Sequence, residues 1–137
     1  MKSWLFGGTF DPPHLGHLII AQTIFEAENF DRIVFIPAFL PPHKNGQDIS
    51  SVDHRMEMLK IAIRENPNFV LSDIEIKRKG LSYSIDTIID YKAQNNIKTD
   101  DLYYLIGSDT LKQFHKWKDP KSILEEARVI VAIRPGF

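Results

Sequence analysis

Residues 4–17 read WLFGGTFDPPHLGH, and this stretch decides the fold of the N-terminal part of the chain. The apolar run Trp4–Phe6 precedes two glycines, and the amphipathic run Leu18–Phe25 follows the histidines, which predicts a strand, a tight loop and a helix. Unpaired N–H groups at the start of such a helix attract an anion. His14 and His17, three residues apart, can reach the same phosphate. The stretch therefore predicts a phosphate-binding turn.

Short apolar runs recur along the chain, with helical patterns between them. These runs are Trp4–Phe6, Ile33–Ile36, Phe69–Leu71, Leu102–Ile106 and Val129–Ile133. Two of them, Ile33–Ile36 and Val129–Ile133, are continuous rather than alternating, as in strands that are covered on both faces. The alternation of strands and helices predicts an α/β fold, a doubly wound, five-stranded parallel sheet of Rossmann-like type with strand order 3-2-1-4-5.

Polar residues mark where the helices should begin. Ser51 and Ser84 are each placed to cap a helix, and Asp119 precedes a proline, an order typical of an N-cap and a first helical residue. Two stretches rich in proline, glycine or charge, Pro37–Ser50 and Lys77–Leu81, are predicted to be loops. The first is longer than a typical connection, which favours a functional role. The charged residues of the second are predicted to form a solvated turn.

The amino-acid composition excludes several classes of protein. The 137 residues predict a single domain, and 43% hydrophobic with 26% charged residues is typical of a soluble globular protein. A net charge of −1 favours neither nucleic acid nor an anionic membrane as a partner. The absence of cysteine excludes disulfides, thiol catalysis and thiolate metal sites. No apolar run approaches the ~18 residues that span a bilayer, so we expect a cytoplasmic protein.

The candidate functional groups should converge on one edge of the sheet. Ligands of doubly wound sheets bind beyond the carboxyl ends of the strands, where the winding reverses. The first strand ends at Gly7-Gly8-Thr9 and the fourth at Gly107-Ser108-Asp109, so these two loops become neighbours. Lys44 follows the second strand and Arg134 follows the fifth. The order of the strands thus predicts one site built from several loops.

Several segments resemble a known family. Thr9–His17 resembles the T/H-x-G-H signature of the nucleotidyltransferase superfamily. Four further segments are similar to bacterial nicotinate-nucleotide adenylyltransferases: FIPA at 35–38 with PPHK at 41–44, RKGLSYSIDT at 78–87, LIGSDTL at 105–111 with Trp117, and RPG at 134–136. The resemblance covers residues 2–136. It implies that residues 1–137 form a single nucleotidyltransferase domain that lacks a C-terminal serine- and threonine-rich segment with an arginine.

The resemblance also implies a reaction. ATP and nicotinate mononucleotide give deamido-NAD and pyrophosphate in NAD biosynthesis, with Mg²⁺ carried by the ATP phosphates and not by protein ligands. The implied catalytic residues are His14, His17, Lys44 and Arg134. The implied ATP-binding residues are Gly7, Gly8, Thr9, Phe10, Gly107, Ser108 and Asp109. The implied substrate-binding residues are Ser82, Tyr83, Ser84, Thr87 and Trp117. The resemblance implies small molecules as partners and leaves open whether the protein forms a homo-oligomer.

Other interpretations remain beside this one. The two signature histidines could be a zinc pair, although no third ligand lies nearby in the sequence. Lys44 and Arg134 could be surface charges, and Trp117 could be a core residue, as Trp4 is predicted to be. The alternative functions are a sibling transferase acting on another phosphorylated acceptor, such as phosphopantetheine, and a non-catalytic nucleotide-binding fragment.

Overall fold

The computed structural model describes residues 2–8, 10, 15–27, 31–40, 49–107 and 111–132, with only the backbone of residues 15–17, 24 and 27. Helices lie between successive strands along these residues. In chain order they are β1 (Ser3–Gly8), α1 (Leu15–Ala27), β2 (Arg32–Pro37), α2 (Val52–Ile63), β3 (Phe69–Leu71), α3 (Ile74–Arg78), α4 (Ser84–Asn95), β4 (Leu102–Gly107), α5 (Pro120–Glu126) and β5 (Arg128–Ala132). Within this part of the chain, no helix is both long and apolar enough to cross a membrane.

All five strands pair in parallel in the order β3-β2-β1-β4-β5, which confirms the predicted topology. In the register of the sheet, Leu5 lies opposite Val34 on one side and Tyr104 on the other, and Gly7 lies opposite Ile36. The strands β2 and β3 follow β1 toward one edge of the sheet, and β4 and β5 lie on the other side of β1 toward the opposite edge. The crevice of a doubly wound sheet therefore lies at the carboxyl ends of β1 and β4.

Successive side chains of a strand point to opposite faces, so the sheet has a separate core on each face. One core, here called the aromatic layer, consists of Trp4, Phe6, Phe10, Ala21, Ile33, Phe35, Leu59, Ile63 and Leu105. The other, here called the α4 layer, consists of Leu5, Val34, Ile36, Ile74, Ile85, Ile88, Tyr91, Leu102, Tyr104, Ile106, Ile123 and Ala127. Trp4 is 3% exposed, which confirms its prediction as a core residue.

The helix starts were predicted with mixed success. Ser51 is the N-cap of α2, and its hydroxyl accepts from the backbone N–H of His54 at 3.2 Å. Asp119 and Pro120 occupy the N-cap and first position of α5, as predicted, although the Asp119 side chain makes no capping hydrogen bond. Ser84 was predicted wrongly: the N-cap of α4 is Tyr83, and Ser84 is the first residue within the helix. Its hydroxyl has another partner, Tyr104.

The predicted loop Lys77–Leu81 is wrong in its first half. Residues 77 and 78 belong to α3, a helix of five residues whose first two, Ile74 and Glu75, are buried. A helix of this length makes little more than one turn, so it has no repeating apolar stripe in the sequence. Arg78 is consequently half-buried and paired with Asp90, whereas the prediction placed it in a solvated turn. Lys79 and Gly80, which follow the helix, are exposed.

Candidate active site

Two glycines end β1 at the crevice. A Cβ atom on Gly7 would lie 3.1 Å from the hydroxyl oxygen of Tyr104, and one on Gly8 would lie 3.3 Å from the ring of Phe10. Both distances are shorter than an ordinary van der Waals contact between carbon and its neighbours. A larger residue at either position would therefore require the neighbouring side chain, Tyr104 or Phe10, to shift by a few tenths of an ångström. Gly107 ends β4 beside them and lies opposite Ala132 of β5.

Phe10 supports this turn from the aromatic layer. Its ring is 3% exposed and packs against Phe6 and Phe35, with ring centroids 5.7 and 5.9 Å away. The backbone of Phe10 has a φ of 52°, a left-handed conformation that costs a residue with a side chain roughly 1–2 kcal/mol. Burial of the ring offsets that cost. Because the ring lies in the core, any contact of Phe10 with ATP would be made by its backbone.

Tyr104 connects the end of β1 to the start of α4. Its hydroxyl lies 2.8 Å from the Ser84 hydroxyl, and its ring meets Trp117 edge-on with centroids 6.4 Å apart. Burial, followed by the charge of Glu75, raises the pKa of Tyr104 above its ordinary value, so its hydroxyl stays protonated at neutral pH. The structure thus brings Gly7, predicted on the ATP side, together with Ser84 and Trp117, predicted on the acceptor side.

Tyr83 and Trp117 line the outer part of this region, and both are partly exposed. The ammonium nitrogen of Lys118 lies 4.8 Å from the centroid of the Tyr83 ring and 3.2 Å from Asp86 Oδ2. Trp117 also packs against Phe114, with centroids 5.3 Å apart. Partly exposed aromatic faces beside a cation can stack a flat, negatively charged ring.

A buried polar cluster lies where α3 meets α4. This Glu75 cluster consists of Glu75, Arg78, Ser82, Thr87 and Asp90, and its three smallest exposed fractions are 0% for Thr87, 5% for Glu75 and 8% for Ser82. The Thr87 hydroxyl donates to Glu75 Oε2 at 2.6 Å, and the Arg78 guanidinium donates to Thr87 Oγ1 and to Asp90 Oδ2, each at 2.9 Å. Since Thr87 is fully buried, it can influence a ligand only through its neighbours.

The same cluster contains a carboxyl group with an altered acidity. Burial raises the pKa of Glu75 from 4.5 to about 7, although hydrogen bonds from Thr87 and Ser82 and the charge of Arg78 act in the opposite direction. Desolvation of the charged form therefore outweighs its three favourable contacts. Strongly altered carboxyl groups next to a cleft are common at functional sites, although structural networks can also produce them.

Ser82 joins the cluster to the end of β2. Its hydroxyl oxygen accepts the backbone N–H groups of Phe39 and Leu40 at 2.9 and 3.3 Å, and its own N–H donates to the Leu40 carbonyl at 2.9 Å. Leu40 and Leu81 form an isolated parallel bridge at the same place. Residues 38–40 are thereby fixed against the segment that leads into α4.

Arg55 of α2 holds the same part of the chain from the other side. It is 2% exposed, and its guanidinium donates to the carbonyls of Ala38 at 2.6 Å and Ser50 at 3.0 Å. A buried guanidinium satisfies carbonyl groups that would otherwise lose their hydrogen bonds to water. The described residues on both sides of the predicted Lys44 segment are therefore connected to one side chain.

Several predicted site residues lie outside the described part of the chain, so their roles stay predictions. They are Thr9, His14, Lys44, Ser108, Asp109 and Arg134, together with the side chain of His17 in α1. Two other histidines, His54 and His115, are exposed.

Sequence reasoning missed Glu75, Tyr104 and Arg55. The period of two in β4 could have identified Tyr104, because it alternates with Leu102 and Ile106 on one face. No comparable signal marks Glu75, which lies in a helix of five residues, and Arg55 is one of several charged residues in α2. Burial of these charged groups depends on contacts between elements that are distant in the sequence.

Comparison with known proteins identifies the family. The model of the cytidylyltransferase-like family matches residues 5–137. A protein of Clostridium tetani named probable nicotinate-nucleotide adenylyltransferase is 44% identical over 99% of this chain, which spans 67% of that relative. The nicotinate-nucleotide adenylyltransferase of Bacillus subtilis is 41% identical, again over 99% of this chain and 71% of the relative.

A solved structure agrees at the level of the fold. It is Plasmodium falciparum nicotinic acid mononucleotide adenylyltransferase complexed with NaAD, which superposes with a TM-score of 0.75 at 17% identity and covers 100% of this chain and 77% of that one. The sequence matches, together with the parallel sheet and its crevice, lead to one assignment. This chain belongs to the cytidylyltransferase-like family and, within it, to the nicotinate-nucleotide adenylyltransferases, a group of nucleotidyltransferases of NAD biosynthesis.

Proposed function

We propose that the protein transfers the adenylyl group of ATP to nicotinate mononucleotide, giving deamido-NAD and pyrophosphate. One observation carries the proposal beyond family membership: Tyr104 contacts Gly7 at the end of β1 and Ser84 at the start of α4. This contact joins the glycine turn, which suits a phosphate chain, to the partly exposed aromatic side chains Tyr83 and Trp117, which suit a pyridine ring. Two substrates bound there would meet at the crevice.

The reaction needs positioning more than acid–base chemistry. An oxygen of the mononucleotide phosphate, already ionised at neutral pH, attacks the α-phosphorus of ATP; a new P–O bond forms, and the bond to the β-phosphate oxygen breaks to release pyrophosphate. Catalysis then depends on bringing two polyanions together and stabilising charge in line. We assign this task to His14, His17, Lys44 and Arg134, with the α1 N-terminus as a further source of positive potential.

A divalent cation belongs to this proposal as well. Mg²⁺, when bound, would neutralise charge on the phosphates of ATP. Among the residues that the structure describes, no three His, Asp or Glu side chains stand together as a metal site. We propose that the ion enters with ATP and is held by its phosphates. On the acceptor side, the N–H groups of Ser82 and Tyr83 donate to the carbonyls of Leu40 and Leu81. We therefore assign the carboxylate of nicotinate to the N–H groups at the start of α4, from Ser84 onward, and we expect preference for it over the uncharged amide.

The test is pyrophosphate release by the purified protein with ATP, Mg²⁺ and a panel of acceptors: nicotinate mononucleotide, nicotinamide mononucleotide and phosphopantetheine. We expect turnover with the first and much less with the others. Faster release with phosphopantetheine would assign the protein to a sibling reaction. Binding of ATP by calorimetry without pyrophosphate release from any acceptor would favour the non-catalytic alternative.

Two histidine variants test the phosphate-binding role assigned to His17. His17→Ala should lower kcat about a hundredfold or more, since loss of one well-placed donor costs roughly 2.7–4 kcal/mol of barrier. His54→Ala is the matched control because His54 is an exposed histidine on α2, and we expect its activity to be unchanged. Equal activity of both variants would contradict the phosphate-binding role of His17.

A further inference from the structure

Tyr104 of β4 carries a hydroxyl group that the proposed chemistry does not use. The residue is 5% exposed, and its hydroxyl oxygen lies 2.8 Å from the hydroxyl oxygen of Ser84. The edge of its ring contacts Trp117, which is also predicted to bind the acceptor. A phenylalanine side chain would make the same ring contact without burying a hydroxyl group. Packing therefore accounts for the ring of Tyr104 but not for its hydroxyl group.

The direction of the bond between Tyr104 and Ser84 follows from the surroundings of the two hydroxyl groups. A phenol is protonated at neutral pH, so the Tyr104 hydroxyl has one hydrogen that needs an acceptor. Among the residues that the structure describes, Ser84 is its one hydrogen-bond partner. If Ser84 donated instead, the hydrogen of Tyr104 would be buried without an acceptor, which is costly. Tyr104 therefore donates, and the oxygen of Ser84 accepts.

This direction leaves the hydroxyl hydrogen of Ser84 available to another partner. It points away from Tyr104, because two hydrogens cannot lie between the same two oxygens. The described part of the chain offers it no acceptor, and Ser84, the first residue of α4, is only partly buried. A hydroxyl whose oxygen accepts a hydrogen bond is also a stronger donor, since bonds in a chain polarise one another. Ser84 thus presents an oriented donor at the start of α4.

We propose that Tyr104 is a positioning residue of the acceptor site: its hydroxyl donates to Ser84 and thereby directs the hydroxyl hydrogen of Ser84 to the carboxylate of nicotinate mononucleotide. The inference rests on the proposed function for the identity of the acceptor. A carboxylate can only accept, so it matches a donor of fixed direction, whereas an amide also carries an NH₂ group that would oppose it. A bond to a charged acceptor is, moreover, roughly twice as strong as a neutral one. Tyr104 and Ser84 together therefore add to the preference for nicotinate over the amide.

The test is a double-mutant cycle on acceptor affinity, measured by calorimetry with nicotinate mononucleotide and, separately, with nicotinamide mononucleotide. Ser84→Ala should weaken binding of the first ligand about tenfold and of the second about threefold or less. Tyr104→Phe should weaken binding of the first ligand about threefold, with no further effect in the Ser84→Ala protein, because Tyr104 acts only through that hydroxyl. Equal losses for the two ligands would overturn the proposal. An effect of Tyr104→Phe that is absent, or that persists in the Ser84→Ala protein, would overturn it as well.

Two control variants separate positioning from general effects of the substitutions. Tyr103→Phe makes the same change in the aromatic layer, and Ser122→Ala makes the same change in α5, so we expect both proteins to bind the two ligands as the wild type does. The affinity for ATP should stay unchanged in all variants. Ser84→Ala carries the test alone if Tyr104→Phe does not fold. A wild type that does not bind nicotinate mononucleotide would overturn the proposed function together with the inference, whereas a wild type that binds it without the expected losses in the variants would overturn the inference alone.

Discussion

The two layers of the sheet meet the crevice in different ways. In the aromatic layer, the ring of Phe10 lies against Gly8 and packs among Phe6 and Phe35, so shape alone fixes the turn after β1. In the α4 layer, hydroxyl groups and charges fix the backbone: Tyr104 bonds to Ser84, and Ser82 holds the end of β2. The phosphate side of the proposed site is therefore supported by packing and the acceptor side by hydrogen bonds.

This difference fits the two proposed ligands. A phosphate chain needs a turn held close to the ligand, which packed rings provide. Discrimination between a carboxylate and an amide requires donors in fixed directions, which a hydrogen-bonded network provides when every member is satisfied. We therefore expect substitutions in the two layers to affect stability differently. The aromatic layer should respond to changes in side-chain volume, and the α4 layer should respond to changes in hydrogen bonding and pH.

Phe10→Ala should have the largest effect on stability. Removing a buried ring leaves a cavity, and such changes cost about 3–5 kcal/mol of the free energy of unfolding. Phe10→Leu, which retains most of the volume, should cost distinctly less. Urea unfolding followed by tryptophan fluorescence measures both values. A loss below about 1 kcal/mol in Phe10→Ala would show that packing does not fix the turn.

Glu75→Gln should have the next largest effect on stability, and the size of this effect should depend on pH. Its pKa is about 7 in the folded protein against 4.5 in the unfolded chain, so the folded protein holds the proton more tightly. The contribution of Glu75 to the free energy of unfolding is fully present below about pH 4.5. It is lost as the pH rises through 7, and the loss is about 3 kcal/mol at most. In urea unfolding at about pH 5 and pH 8, Glu75→Gln should lack this decrease. Parallel pH profiles of wild type and variant would contradict it.

Tyr104→Phe tests the hydrogen bond between Tyr104 and Ser84 in the α4 layer. The ring stays, while the bond to Ser84 is lost, and we expect a cost of about 1 kcal/mol. Tyr103→Phe is the matched control, because the neighbouring ring faces the aromatic layer and stacks on Trp4 with centroids 5.1 Å apart. Equal losses in the two variants, measured by thermal unfolding, would remove the distinction between the layers.

Lys118→Met should have the smallest effect. The side chain is half exposed, and its ion pair with Asp86 lies at the rim of the α4 layer. Exposed pairs contribute about 0.2–1 kcal/mol and weaken with salt, so the loss should fall in that range and vanish at about 1 M salt. A larger, salt-independent loss would mean that the stability of the α4 layer depends on its surface and not on the Glu75 cluster.

The strand β2 was predictable because burial on both faces leaves a direct mark in the sequence. Ile33–Ile36 is continuous and apolar, and β2 differs from it by one residue at each end. The same reasoning was wrong about coverage for Val129–Ile133, because β5 is an edge strand in which Val131 is 37% exposed. The predicted run Phe69–Leu71 coincides with β3. The helix α3 was not predictable, since five residues show no helical period, and its burial depends on packing against α4.

Ser84 shows how a local rule fails at the site. A serine before an apolar run favours an N-cap because its hydroxyl can accept the N–H of the first turn. In the structure this hydroxyl is bonded to Tyr104, which is twenty residues away, and the helix begins at Ser84 itself without a side-chain cap at Tyr83. A tertiary contact has replaced the local one.

The sequence by itself determined the parallel sheet, its strand order and the family, because apolar period, glycine placement and motif spacing are local properties. The tertiary structure alone decided which groups support the crevice: the ring of Phe10 under Gly8, the Tyr104–Ser84 bond, and the buried Glu75. The reason is physical. Desolvation and hydrogen-bond saturation depend on what surrounds an atom in space, and Glu75 lies among residues distant in the sequence, such as Thr87 of α4 and Tyr104 of β4.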